Sequence, residues 1–218
     1  MYTFVKKSSN RRLKPAVREQ LILEEAGRFF AEHGFEGGTS ALARRLGISQ
    51  PLLYRYFPTK DALIERVHKT YFMDRQDDAL YAILDDRSVS PFERIVGFYR
   101  RYIKMHDYQA IRLFLFSSLA GLTLNRTFFE EFQRVILTRI VYALREEVGE
   151  AGAAPITDLE LELAWSLHAS IYYIALHRHV HGVPGAEAAD LVEFKVRLFF
   201  EGARAMMATP PAERSAAG

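Results

Sequence analysis

The chain has 218 residues, of which 26% are charged, a formal net charge of +2 and no cysteine. This length suffices for one or two domains with a sizeable core, and the lack of cysteine excludes disulfides and thiol chemistry. No stretch approaches the ~18 consecutive apolar residues of a membrane span, and no secretory signal is visible. We therefore expect a cytoplasmic protein with no membrane contact.

Charge is distributed unevenly along the chain. Residues 1–70 hold 13 Lys and Arg against 7 Asp and Glu, whereas the remainder holds 16 against 20. A basic segment attracts polyanions, so the first third is the predicted nucleic-acid-facing part. Residues 1–14 mix basic and small polar residues without periodicity, which predicts a flexible basic arm along a duplex; a tail without a specific role is the alternative.

A helix-turn-helix pattern follows this arm. Pro15 opens a predicted helix, and a short second helix begins at Thr39, which we interpret as its N-cap. That helix ends at Gly47, because glycine adopts the left-handed conformation without steric cost. Pro51 then marks the first turn of a third short helix, and a fourth begins near Lys60.

The third helix has an unusual outward face. Leu53 and Phe57 are four residues apart and can face inward together, which leaves a cluster of large polar and aromatic side chains exposed. Glutamine and arginine can pair with base edges, leucine can touch a thymine methyl, and tyrosine can donate to phosphate. Lys60 at a helix N-terminus also favours a phosphate contact. The outward cluster comprises Gln50, Leu52, Tyr54, Arg55 and Tyr56.

The run from Ala16 to about Val67 resembles the DNA-binding domain of the TetR family of bacterial transcriptional regulators, through REQLILEEAGRFFAEHGF, LARRLGISQPLLYRYF and PTKDALIERV. Ser40 stands where some members place a base-reading arginine, and we include it in the predicted DNA-binding set. The resemblance implies phosphate contacts at Thr39, Tyr54, Tyr56 and Lys60, and base-facing positions at Gln50, Pro51, Leu52 and Arg55.

The predicted fold is all-α. A three-helix helix-turn-helix domain, 15–67, precedes a helical effector-binding and dimerisation domain, 68–208, and a disordered tail, 209–218. We expect one helix to run from Asp61 towards Asp85, and Asn125 to cap a long helix that ends near Val148. Capping boxes predict two further helix starts, at Ser90 with Glu93 and at Thr157 with Glu160.

The last two predicted helices, ending at Gly182 and spanning 186–207, are apolar over more than half of their circumference. Such helices must bury two faces, which predicts a four-helix homodimer interface, as the resemblance also implies. A twofold dimer places two recognition helices ~34 Å apart and would read a palindrome. A monomer with a larger core is the alternative.

An aromatic-rich middle region is the candidate effector pocket. The family's C-terminal domain holds a pocket for a small molecule that releases DNA, so the resemblance implies a pocket of this kind here. An apolar lining would favour a hydrophobic or amphiphilic effector; ordinary core packing is the alternative. The candidate residues are Phe98, Tyr102, Arg112, Phe116, Phe128, Phe132, Trp165 and His168.

A histidine run near a helix end raises the question of a metal. His177 and His181 fall on one helical face at ligand spacing, with His179 between them, so a Zn²⁺ site is an alternative to consider. No carboxylate or cysteine completes the set, and histidines near a helix C-terminus interact favourably with its dipole without a metal. We predict no metal site and no cofactor.

The leading functional hypothesis is a ligand-responsive, dimeric repressor that an effector releases from a palindromic operator in double-stranded DNA. A non-specific architectural DNA-binding protein is the alternative, since the basic arm would suffice for it. An enzyme is less favoured still, because no nucleophile elbow, glycine-rich phosphate loop or zinc-protease motif is present in the sequence.

Overall fold

The computed structural model describes residues 14–74, 78–149 and 154–207. These residues fold into helices joined by short turns, and no β-strand is found among them, so the predicted all-α class is confirmed. The chain divides into two compact units, Met1–Val67 and His68–Gly218. The predicted basic arm, apart from Lys14, and the predicted tail 209–218 lie outside the described residues.

Four helices form the N-terminal unit. Ile22, Phe30 and Leu42 are buried among them, so the apolar side of the first helix faces the core. Gly34 follows the first helix with a φ of 69° and Gly47 follows the second with a φ of 66°, and these left-handed conformations end both helices. The helices are α1 (Pro15–His33), α2 (Thr39–Leu46), α3 (Gln50–Tyr56) and α4 (Lys60–His68).

The C-terminal unit is a bundle in which α6 packs against four neighbours, α5, α9, α10 and α11. Its long helices α10 and α11 also pack against each other. The helices are α5 (Asp78–Asp85), α6 (Pro91–Met105), α7 (Tyr108–Leu119), α8 (Thr123–Phe132), α9 (Thr138–Glu147), α10 (Asp158–His179) and α11 (Ala188–Met207), with π-helical turns at Lys69–Met73 and Gln133–Leu137.

Local helix signals are correct where the partner groups lie within one turn. Ser90 accepts from the amide of Glu93 while the Glu93 carboxylate accepts from the amide of Ser90, and this capping box starts α6 as predicted. Thr157 and Glu160 start α10 in the same way. The last two helices are shorter than expected: α10 ends at His179 and α11 begins at Ala188.

The predicted continuous helix from Asp61 to Asp85 is wrong. The α-helical hydrogen bonding ends at His68, and the amide of Asp74 instead reaches back to the carbonyl of Lys69 (2.9 Å) in a π-helical turn. Such a turn inserts one residue into the helical repeat and changes the direction of the side chains beyond it. A separate helix, α5, begins at Asp78.

The predicted cap at Asn125 is also wrong, because Leu122 precedes α8 and Asn125 lies buried inside it. The amide of Asn125 accepts from Nε2 of His68 (2.8 Å) and donates to the hydroxyl of Ser118 (2.8 Å). Burial lowers the pKa of His68, so the ring is favoured in its neutral form. A buried side-chain amide needs hydrogen-bond partners, and Asn125 finds them in His68 and Ser118 inside the protein.

An ion pair joins α9 to the start of α10. The guanidinium of Arg145 donates to both carboxylate oxygens of Glu160 (2.6 and 2.8 Å), and it also donates to the carbonyls of Ala154 and Pro155. This pairing lowers the pKa of Glu160 from 4.5 to about 2. Because the folded-state pKa is the lower one, the pair stabilises the fold fully above the unfolded value, and this contribution is lost as pH falls towards 2.

We therefore expect Glu160→Gln to unfold at lower denaturant concentration than the parent protein near neutral pH. The difference should shrink as pH falls below about 4.5, since the parent's own carboxylate then begins to protonate. Urea unfolding of both proteins over a pH series measures this. Glu162→Gln, at an exposed position on the same helix, is the control and should show no such convergence.

Candidate DNA-binding surface and ligand cavity

Helix α3 is fixed by its two ends and by its inward side. Ser49 accepts from the amide of Leu52 (3.3 Å) and caps the first turn, where Pro51 needs no amide partner. Leu53 is 1% exposed and Phe57 is also buried, so the predicted inward pair is confirmed. A helix of seven residues is not stable alone, and these contacts hold it in place.

The opposite side of α3 faces solvent, as the sequence predicts. Pro51, Tyr54 and Arg55 are exposed, whereas Gln50, Leu52 and Tyr56 are partly exposed beside them. Lys60 is also partly exposed at the first position of α4, where the hydroxyl of Thr59 accepts from the amide of Ala62 (3.0 Å). The surface therefore presents hydrogen-bonding, aromatic and basic groups side by side.

Thr39 and Ser40 connect α2 to this surface. The predicted N-cap role of Thr39 is wrong, because Gly38 precedes the helix and Thr39, only 8% exposed, is its first residue. The hydroxyl of Thr39 accepts from Nε2 of Gln50 (2.9 Å) and lies 3.0 Å from the hydroxyl of Tyr54. Ser40 donates to Oε1 of Gln50 (3.0 Å). Both ends of the Gln50 amide are thus held by α2.

Arg45 holds α2 against α1. Its guanidinium bonds to the carboxylates of Glu25 and Glu32, two residues on the same side of α1. The hydrogen bond from Arg45 lowers the pKa of Glu32, which keeps that carboxylate ionised over a wider pH range. Since α2 in turn positions Gln50, this cluster supports the orientation of the exposed surface.

A cavity of about 210 Å³ lies in the C-terminal unit, between α6, α7, α8 and α10. Its wall is almost entirely aromatic, and Phe129 and Ala169 in that wall are also exposed to solvent, so the cavity opens near them. The lining residues are Tyr102, His106, Phe114, Phe128, Phe129, Trp165, His168, Ala169 and Tyr172.

The structure brings half of the predicted pocket residues to this cavity: Tyr102, Phe128, Trp165 and His168. Phe98 and Phe132 instead line a smaller cavity of about 20 Å³, which is space for about one water.

Arg112 and Phe116 line neither of these two cavities. The guanidinium of Arg112 lies 5.3 Å from the ring centroids of both Phe116 and Tyr108, so it makes cation–π contacts outside the cavity. Five of the nine lining residues, among them Tyr172, are absent from the predicted pocket set. The signal available for Tyr172 was its position on α10, two turns after Trp165 and so on the same helical face.

Burial holds three ionisable groups of the cavity neutral: His168, Tyr102 and Tyr172. Burial, and to a smaller extent His106, lowers the pKa of His168 to about 3. The hydroxyl of Tyr102 lies 3.4 Å from Nε2 of His168, and burial raises the pKa of this tyrosine and of Tyr172 well above the ordinary value. At neutral pH these side chains offer hydrogen bonds without charge.

The N-terminal unit matches a known family. Residues 22–67 match the model of the tetR family of bacterial regulatory proteins. The N-terminal unit is a TetR-family domain. The matched region contains α2, α3 and most of α4 together with the exposed surface built on them. The chain therefore carries a DNA-binding helix-turn-helix domain of the TetR type, as predicted.

Solved TetR-family structures share the fold along most of the chain. A TetR-like regulator from Rhodococcus sp. RHA1 is 21% identical, with a TM-score of 0.64 over 88% of this chain and 100% of that one. The ketosteroid regulator KstR2 of Mycobacterium tuberculosis is 17% identical, with a TM-score of 0.61 over 85% and 94%.

FadR of Thermus thermophilus, solved with lauroyl-CoA, is 18% identical, with a TM-score of 0.52 over 85% of this chain and 94% of that one. At these identities the three likenesses establish the all-helical fold alone. None of the chain's described helices is long and apolar enough to cross a bilayer.

The histidine run of α10 packs against an aromatic ring. The ring of His177 stacks on Tyr173 at 5.4 Å and lies 6.2 Å from the ring of His181. Across the described residues, no three histidine or acidic side chains are grouped so that they could hold a metal ion. The ring contacts of His177 and His181 therefore explain their positions without a bound metal ion.

Proposed function

We propose that this TetR-family protein is a dimeric repressor that leaves a palindromic operator when a small molecule occupies its aromatic cavity. The observation that carries the proposal is the exposed face of α3, whose Gln50 and Tyr54 are held in place by side chains of α2. Side chains that read bases gain specificity when their orientation is fixed before DNA arrives.

The proposed contacts divide into two classes. Gln50, Pro51, Leu52 and Arg55 face base edges in the major groove, with Ser40 beside them. Tyr54, Tyr56 and Lys60 meet the phosphate backbone, and the free amides at the start of α4 add to the site of Lys60. Thr39 acts mainly by positioning its two partners, because its hydroxyl is already engaged.

The exposed apolar side chains of α10 and α11 support a homodimer. Phe194 is 62% exposed and Leu198 is 64% exposed one turn later on α11, while Val192 and Val196 on the opposite side are fully buried. Leu159 and Tyr173 are likewise exposed on α10. Patches of this kind are typical of protein interfaces, and a twofold pairing of the two helices would cover them.

The cavity supplies the proposed control. An effector that binds one arrangement of the dimer more tightly than the other shifts the population towards it, and its differential affinity sets the limit of the shift. FadR was solved with lauroyl-CoA, which carries a long acyl chain, and the name of KstR2 associates it with ketosteroids. For this chain we propose a small hydrophobic effector.

A reporter gene behind the DNA that precedes the protein's own coding sequence tests the regulatory role. We expect lower reporter expression when the protein is present, and recovery of expression when a library of small apolar compounds is added. Arg55→Ala should fail to repress at equal protein abundance. Higher reporter expression in the presence of the protein would contradict repression, and a response to no compound would contradict ligand control.

A further inference from the structure

We infer that the effector is an uncharged molecule of one or two aromatic rings that carries a neutral hydrogen-bonding group. This inference rests on the proposed function, because it concerns the ligand of the same cavity. It narrows the class from hydrophobic and amphiphilic compounds in general to one shape and one charge state. Four properties of the cavity carry it: the charge of its lining, its volume, its wall of rings and the unpaired polar atoms of two lining residues.

No lysine, arginine, aspartate or glutamate lines the cavity. Of its two histidines, His168 is kept neutral by burial, and His106 donates from Nδ1 to the carbonyl of Tyr102 (2.9 Å). A charged ligand group would lose its hydration in such a cavity without gaining a counter-ion, which is strongly unfavourable. Phosphate groups in particular are bound by arginine and lysine, so a coenzyme A ester of the kind found in FadR does not suit this lining.

The volume limits the size of the ligand. An apolar cavity of about 150 Å³ holds benzene, whereas sites for drug-sized ligands span about 300–1,000 Å³. The present cavity, at about 210 Å³, therefore accepts a substituted single ring or a compact pair of rings. A steroid or a long acyl chain would require the helices to separate.

The wall favours a ring over an alkyl chain. The ring of Phe114 lies 5.5 Å from those of Phe128 and Phe129, and Phe129 lies 5.8 Å from Trp165, all in edge-to-face arrangements. These pairs present both ring faces and ring edges to the space between them. An aromatic ligand can make edge-to-face contacts with these rings, whereas an alkyl ligand of equal area cannot.

Two buried polar atoms that belong to lining residues account for the hydrogen-bonding group. Within the described part of the chain, Nδ1 of His168 and the hydroxyl of Tyr172 are buried and make no hydrogen bond. A buried polar atom without a partner is costly, so a ligand hydroxyl that reached either atom would recover part of that cost. A purely hydrocarbon ring would leave both atoms unpaired.

The lone tryptophan of the chain, Trp165, lines the cavity, so its fluorescence reports occupancy directly without DNA. We would titrate the full-length protein with three probes: 4-ethylphenol, 4-ethylbenzoate and octan-1-ol. The first two share a ring and differ in charge, whereas octan-1-ol is uncharged and has no ring. We expect 4-ethylphenol to bind at least about tenfold more tightly than either of the others.

A cavity variant separates binding in the cavity from binding elsewhere. Ala169→Leu narrows the opening and should weaken binding of 4-ethylphenol, while Ser166→Leu, one turn earlier on the exposed side of α10 and outside the lining, should leave it unchanged. Calorimetric titration of both variants, with their melting temperatures as a folding check, gives the comparison. Equal affinities in the two variants would overturn the assignment to this cavity.

The outcomes distinguish this inference from the proposed function. Tighter or equal binding of 4-ethylbenzoate or octan-1-ol, or no change in Trp165 emission with any probe, would overturn the inferred ligand class. If 4-ethylphenol binds but never alters repression, the inference stands and ligand control fails. If repression is relieved by octan-1-ol or 4-ethylbenzoate while 4-ethylphenol does not bind, ligand control stands and the inference fails.

Discussion

Replacing Leu198 with glutamate is expected to convert the protein into monomers and to remove its specific DNA binding. Leu198 is 64% exposed on α11, next to Phe194, at the centre of the proposed interface. A carboxylate buried between two copies would lack a partner and oppose association. A monomer engages one half-site, so its affinity for an operator should fall by about 10³-fold or more, towards that of non-specific binding.

Sedimentation measures the oligomeric state, and fluorescence anisotropy with labelled operator DNA measures the affinity. Leu119→Glu is a matched control, because Leu119 is 85% exposed at the end of α7 and outside both interface helices. The control should remain dimeric and bind normally. If Leu198→Glu were still dimeric at the concentration of the parent protein, the interface would lie elsewhere.

Arg55→Ala is expected to relax base preference, and Lys60→Ala to weaken binding to every sequence alike. Arg55 is exposed on α3, where its guanidinium can make a paired hydrogen bond to guanine, worth about 1–3 kcal/mol in each half-site. Lys60 lies at the start of α4 and is assigned to a phosphate. Losing that contact should lower the salt slope of binding by about one in each half-site.

Binding of both variants to the operator, to single-base variants of it and to bulk DNA over a salt series separates the two roles. In this comparison Arg55→Ala should keep the parent's affinity for bulk DNA to within a few fold, while Lys60→Ala should keep the parent's ranking of sequences. A Lys60→Ala protein with unchanged affinity and salt slope would show that its side chain does not meet a phosphate.

The sequence was sufficient for features that depend on neighbouring residues. The turn at Gly47, the inward pair Leu53 and Phe57, and the capping box of Ser90 with Glu93 all follow from contacts within about one helical turn, and the structure has each of them. Local hydrogen bonds and helical spacing are encoded in short segments, so reading those segments is enough.

The errors concern polar residues whose partners are distant in sequence. Thr39 and Asn125 are typical cap residues, yet Thr39 bonds to Gln50 and Tyr54 of another helix, and Asn125 bonds to His68. Side chains of this type bond either to the local backbone or to tertiary partners, and spacing alone does not decide between them. At these two buried positions, the side chains bond to tertiary partners and not to the local backbone.

The cavity shows the same limit for aromatic residues. Composition indicated an aromatic region, but it could not separate Trp165, which lines the cavity, from Phe98, which packs around a space of about one water. Arg112 was predicted to line the pocket because it is a charged residue in an apolar segment. Its guanidinium instead contacts the rings of Phe116 and Tyr108 outside the cavity. Which rings surround space depends on how helices pack, and helical spacing does not specify this.

Selective recovery of genomic DNA tests whether the protein binds a palindromic operator as a dimer. The purified protein is mixed with fragmented genomic DNA at ~150 mM salt, and the retained fragments are sequenced. We expect the parent protein to retain fragments that share an inverted repeat, with half-sites about one helical turn apart. Leu198→Glu should not enrich these fragments. Retained fragments without a shared motif, bound equally well by both proteins, would contradict this expectation and favour a non-specific architectural role.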